Sequence, residues 1–172
     1  NLVSIVVEDG NTKYDSRENC NAIIEKASNS LIAGCRSTII PQSVDHIAYA
    51  AFAGLTTLSS IIIPEGVTSL GEGAFYDCSG ITKISLPDSL TTIGDLAFYN
   101  CKYLNELTIG RSVTKLGARA FNYCVNLKKI YFNAINCKTE YGIFDSCINI
   151  NDVHFGDKVE NIGNLDLSVN SI

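Results

Sequence analysis

The sequence has no methionine, and only two histidines and three prolines among its 172 residues. With so few histidines and no Cys-x-x-Cys pair, the seven cysteines match no structural zinc spacing. Gly-x-Ser-x-Gly, His-Glu-x-x-His and phosphate-loop patterns are all missing, so nothing in the chain points to catalysis or to a cofactor, and none is expected. No run of 18 apolar residues occurs, so no membrane-spanning segment is expected. The opening Asn1–Asn11 lacks the basic and apolar regions of a signal peptide. A net charge of −5 argues against general affinity for nucleic acid or anionic membrane. What is present is a folded composition, 46% hydrophobic and 18% charged, in a chain long enough for one cored domain.

The chain is dominated by a repeat. Phe52, Phe75, Phe98, Phe121 and Phe144 stand 23 residues apart, and Leu167 takes the next such position. Ala51, Ala74, Ala97 and Ala120 precede four of them, and Cys78, Cys101, Cys124 and Cys147 keep the same period. The columns Leu58/Ile81/Leu104/Leu127/Ile150, Ile61/Ile84/Leu107/Ile130/Val153 and Ile63/Leu86/Ile109/Phe132/Phe155 share it as well. Each unit reads L-x-x-I-x-I, a Pro or Gly, V-x-x-I-G, then A-F-x-x-C. The I-x-I piece alternates, so it predicts a short strand with Ile61 and Ile63 inward and Ile62 outward. Pro64, Pro87 and Gly110 turn the chain, Val67 and Leu70 pin a second extended segment, and Gly71–Cys78 predicts a helical turn or two. One unit cannot bury these groups alone; stacked units bury them against each other.

The spacing is that of leucine-rich repeats, and the half-unit V-T-S-L-G-E-G-A-F-Y-D-C, Val67–Cys78, resembles the BspA-like leucine-rich-repeat family of bacterial surface proteins. That resemblance implies a curved, right-handed β/α coil with a parallel sheet on the concave face. It also implies an extracellular or cell-surface setting, typical of Bacteroidetes, with adhesion among the family's roles. Motifs centred near Val6, Ile39, Ile62, Ser85, Thr108, Tyr131 and His154 predict about seven units in a single domain over 1–172.

Departures from the period carry their own expectations. Val7 to Ile40 spans 33 residues, ten more than one repeat, and Cys20–Cys35 predicts a β-hairpin turning within Lys26–Asn29. Residues 1–35 thus form a longer variant unit and 36–172 the regular ones. Cys20 and Cys35 are equidistant from the hairpin centre, which leaves open a disulfide or two separate thiols. The remaining cysteines read as buried thiols, with Cys137 a spare one in a loop over Asn133–Gly142, where Asn136 and Thr139 replace the apolar pattern. Neither end has a polar capping unit, so the chain reads as a piece of a longer array, with end-to-end self-association as a consequence.

Function must lie in outward columns that the repeat leaves free. One runs Ser60, Lys83, Glu106, Lys129, Asp152; the last four alternate in sign and predict a salt-bridge ladder. The next runs Ile39, Ile62, Ser85, Thr108, Tyr131, His154. Lys83, Glu106, Lys129, Tyr131, Asp152 and His154 are therefore the candidate contact patch, Tyr131 and His154 foremost. Between Lys102 and Lys138 seven basic residues face one acid, Glu106, but they scatter over several columns. The reading is a non-catalytic module that holds a protein or glycan, host-derived in the family's setting. The alternative is a structural spacer presenting another domain.

Overall fold

In the computed structural model, residues 2–165 and 167 are described. The predicted open C-terminal end, at 168–172, lies outside them. Among the described residues the fold is a β-solenoid of about five turns, rather than about seven. The first motif accounts for part of the difference. Ile5 and Val7 are only half-buried and Val6 is 72% exposed, so this segment keeps the alternation without entering a ladder.

Two sheets run along the stack. In chain order the strands are β1 (Tyr14–Asp15), β2 (Ala22–Glu25), β3 (Ser30–Gly34), β4 (His46–Ile47), β5 (Ser69–Leu70) and β6 (Lys83–Ser85). They continue with β7 (Thr92–Ile93), β8 (Glu106–Ile109), β9 (Lys115–Leu116), β10 (Lys129–Phe132), β11 (Lys138–Thr139) and β12 (Asp152–Phe155). The I-x-I pieces give a four-stranded parallel sheet in the order β6-β8-β10-β12. The second extended segments give a longer sheet, β1-β2-β3-β4-β5-β7-β9-β11, antiparallel through the hairpin and parallel from β3 onward. The hairpin forms as its alternation requires: β2 and β3 flank a turn over residues 26–29, and Ala22, Ile24 and Leu31 are buried.

The predicted helical turns do not form. Among the described residues the only helical element is a short 3-10 turn, Arg17–Asn19. Instead, each turn segment places two residues at positive φ, one repeat after another. One column is Ala50, Gly73, Leu96, Arg119 and Gly142; the other is Gly54, Asp77, Asn100, Tyr123 and Ser146. This conformation costs an L-residue about 1–2 kcal/mol. It aims alternate N–H groups along the stack, where they bond the next rung: Leu96 N to Ala118 O at 2.9 Å, Phe98 N to Ala120 O at 2.7 Å, Asn100 N to Asn122 O at 2.8 Å. A helix would satisfy these donors within its own turn and leave neighbouring rungs unconnected.

The core lies between the sheets and the turns. Phe52, Phe75, Phe98, Phe121 and Phe144 stack with ring centroids 5.0, 5.1, 5.1 and 5.7 Å apart. The cysteine column has a defined role beside them. Cys78 Sγ donates to Phe52 O at 3.0 Å, and Cys101, Cys124 and Cys147 repeat the bond to Phe75, Phe98 and Phe121. Burial pushes the Cys78 thiol up to about 12, and those of Cys101 and Cys124 well above the ordinary range. These thiols are thus neutral at any physiological pH. The native protein is expected to react slowly with Ellman's reagent at pH 8 and to release all seven equivalents only when denatured; rapid native labelling of the column would contradict its burial.

Of the two alternatives left open for Cys20 and Cys35, the structure has separate thiols, both free and buried, with no disulfide between them. Ala22 pairs with Gly34, which puts Asn21, not Cys20, opposite Cys35. Cys35 Sγ accordingly donates to Asn21 O at 3.4 Å, while Cys20 Sγ turns to Ala22 O at 3.8 Å. The predicted loop at Asn133–Gly142 is partly a strand: β11 pairs with β9, and Asn136 bridges Asn161. The backbone ladder tolerates Asn136 and Thr139, and Cys137, fully buried with its thiol pushed up to about 11, fills the core there instead of being spare.

Candidate functional site

The four-stranded sheet presents the predicted outward columns in register. Lys83 lies beside Glu106, Glu106 beside Lys129 and Lys129 beside Asp152. The charges resolve into two pairs rather than a continuous ladder. Lys83 Nζ reaches Glu106 at 2.9 Å and Lys129 Nζ reaches Asp152 at 3.2 Å. The bond to Lys129, with a second from His154, holds the Asp152 carboxyl below the usual range; the Asp152 bond raises the Lys129 ammonium. Both pairs are open to solvent, so they set register and local charge more than they stabilise the fold.

The adjacent column brings Ser85, Thr108, Tyr131 and His154 side by side. The Tyr131 and His154 rings stack with centroids 4.9 Å apart and planes 15° from parallel. His154 Nε2 lies 2.8 Å from Asp152 Oδ1. Asp152 therefore holds both Lys129 and His154, and one half-exposed carboxylate organises an aromatic, a cation and an imidazole on the last two strands. A group docking here meets a flat aromatic stack with hydrogen-bonding edges already fixed, which lowers the ordering cost of binding.

The other end of the same column is apolar, and the sequence reading gave it no role. Ile39 and Ile62 are 75% and 85% exposed. Next to Ile62 the surface sinks into a depression of about 410 Å³ that also meets Ser85, Thr108, Asp88 and Arg111. Ile39 and Ile62 both lie on rungs outside the four-stranded sheet, which begins at β6. The signal was present in the sequence, because an isoleucine facing solvent has no structural need to be there. The face thus grades from aliphatic at Ile39 and Ile62, through hydroxyls at Ser85 and Thr108, to the aromatic pair.

The basic residues between Lys102 and Lys138 do not gather into one patch. Lys129 sits on the strand face, Lys115 and Lys138 pair in the other sheet, and Arg111 lies 3.8 Å from Asp88. Lys102 and Arg119 lie over the rings of Tyr103 and Tyr141. Among the described residues no group of three or more His, Cys, Asp or Glu is placed to hold a metal ion. No helix among them is long and apolar enough to cross a membrane.

Against known families, the BspA type leucine rich repeat region matches in six copies over residues 23–151. The chain belongs to that family. Several solved structures are similar to it. A leucine-rich repeat protein of Eubacterium ventriosum is 26% identical with a TM-score of 0.80, over 90% of this chain and 42% of that one. The pneumococcal vaccine antigen PcpA is 26% identical with a TM-score of 0.75, over 92% of this chain and 40% of that one. A leucine rich cell surface protein of Faecalibacterium prausnitzii, 24% identical with a TM-score of 0.75 over 88% of this chain and 44% of its own, shares the fold. The chain spans less than half the length of these solved relatives. No curated protein matches. BspA-type membership makes the chain a binding or structural repeat module, and no enzymatic family is indicated.

Proposed function

We propose that this chain is a non-catalytic binding module of an exported or cell-surface protein, and that it holds its ligand on the four-stranded sheet face and the two rungs that precede it. The observation that carries the proposal is the graded outward column: two exposed isoleucines at one end, and at the other a stacked Tyr131–His154 pair set by Asp152. From β6 to β12 the surface is rigid because each strand is hydrogen-bonded to the next, so a ligand spanning several strands pays little to order it. An extended protein segment fits this face best. Its apolar residues would cover Ile39 and Ile62, and its polar end would meet the hydroxyls, the ion pairs and the aromatic stack. The PcpA and F. prausnitzii likenesses support a surface setting by analogy.

A binding array of extracellular-matrix proteins and glycans, probed with this chain, tests the proposal. The Tyr131→Ala/His154→Ala variant is expected to bind its best ligand at least about tenfold more weakly, as truncation of an aromatic anchor does. An Ile62→Asp variant is expected to weaken the same ligand from the apolar end. A ligand whose affinity both variants leave unchanged would show that binding occurs elsewhere. A glycan as the preferred ligand would redirect the reading from protein to carbohydrate recognition.

A further inference from the structure

The turn side of the solenoid carries a second aromatic surface, separate from the strand face. Tyr76 and Tyr99 stack at 5.0 Å with planes 4° apart, and Tyr123 packs on Tyr99 at 5.4 Å. One repeat before Tyr76 the stacking column reaches Ala53, so the row of rings stops and the far face of Tyr76 has no ring against it. The vacated place is a notch of about 230 Å³ lined by Tyr49, Ala50, Ala53, Glu72, Gly73 and Tyr76. That is smaller than the roughly 300–1,000 Å³ of a small-molecule pocket and suits a single side chain.

The notch has the charge to choose its occupant. Glu72 is exposed, and its carboxylate has neither an ion pair nor a hydrogen bond among the described residues. Across residues 41–100 there are six acids and one basic residue, Lys83, which is engaged with Glu106 on the strand sheet. No cation of this stretch is left to serve Glu72. The same column supplies an internal parallel: Tyr141, four repeats beyond Tyr49, has the Arg119 guanidinium 5.5 Å from its ring centroid.

We propose that the notch receives the guanidinium of an arginine from a partner protein, stacked on the free face of Tyr76, flanked by Tyr49 and paired with Glu72. Arginine meets all three demands. It is planar, as the missing rung of a stack requires; it is cationic, as Glu72 requires; and it forks toward a carboxylate. A lysine ammonium would meet the charge but not the stack, and a sugar ring would meet the stack but not the charge. This docking point is independent of the strand-face reading.

The test is a titration of the isotope-labelled chain, followed by amide chemical shifts, with the capped tripeptide Gly-Arg-Gly. Its citrulline and lysine counterparts and methyl glucoside serve as comparators. The arginine peptide is expected to shift Tyr49, Glu72, Gly73 and Tyr76 saturably, and the neutral, isosteric citrulline peptide to bind about tenfold more weakly. Glu72→Gln is expected to weaken the arginine peptide toward the citrulline value. Ala53→Tyr, which fills the empty place in the stack, is expected to abolish binding while leaving the spectrum dispersed. Equal binding of arginine and citrulline, no saturable shift with arginine, or undiminished binding to both variants would overturn the proposal. So would a glucoside that shifts the same amides at lower concentration than the arginine peptide.

Discussion

Phe98→Ala is expected to lower the stability of the chain by about 3–5 kcal/mol, the range for removing a buried phenylalanine from a packed core. Phe98 is fully buried and stacked on both faces, 5.1 Å from Phe75 and 5.1 Å from Phe121. Truncation empties a place that neighbouring rungs cannot close, because their spacing is held by hydrogen bonds on both sheets and along the turns. It also withdraws the surface that covers two neighbouring rings at once. Phe144 provides the comparison. It has one ring neighbour at 5.7 Å, tilted by 18°, and 4% of its surface is open. Phe144→Ala is therefore expected to cost less than Phe98→Ala. Urea unfolding followed by circular dichroism reads both. Equal losses would mean that the stack does not act as a continuous element, and a loss for Phe98→Ala within the range of a surface substitution would refute its place in the core.

Gly94→Ala is expected to cost about 1–3 kcal/mol or more, although it adds a single methyl group to a residue of ordinary backbone conformation. A Cβ on Gly94 would sit 2.7 Å from Gly71 C, 2.8 Å from Glu72 N and 2.9 Å from Gly71 O. All three are backbone atoms of the preceding rung, so no rotamer change relieves the clash; the rungs must separate. Gly71 meets the preceding rung in the same way, with a Cβ 2.7 Å from Tyr49 N. Gly110→Ala is the control, since its nearest neighbour would be Pro87 O at 3.3 Å. Thermal unfolding of the two variants side by side should separate them clearly. A Gly94→Ala protein as stable as Gly110→Ala would mean that the rungs are not in backbone contact at this corner.

These contacts show why parts of the molecule were legible in the sequence and others were not. The inward residues were legible because burial acts on single side chains at a fixed spacing: Phe75, Cys78, Ile81 and Ile84 are all buried as their columns require. The hairpin was legible because alternation on either side of Lys26–Asn29 is a local pattern. The turns were not. Gly71–Cys78 has the apolar spacing of a helical turn, and Leu96, Arg119 and Tyr123 carry no sequence sign of positive φ. The Cys20–Cys35 pairing was left undecided for a similar reason, since symmetry about a turn does not fix strand register.

The candidate sites divide in the same way. That Lys83, Glu106, Lys129 and Asp152 share one column followed from the period; that they resolve into two pairs, with Asp152 shared by Lys129 and His154, required side-chain geometry. The notch at Tyr76 was hidden because it is a missing ring, visible only against a stack whose other members are in place.

By itself, then, the sequence determined the period, the family, the buried columns and the short list of positions free to vary. Each of these follows from hydrophobic burial repeated at a constant interval. The tertiary structure decided how the turns run, which outward residues touch and where the surface is left open. It decided them because donors and rings on one rung find their partners on the next, and a contact between residues 23 positions apart outweighs the preference of either residue alone.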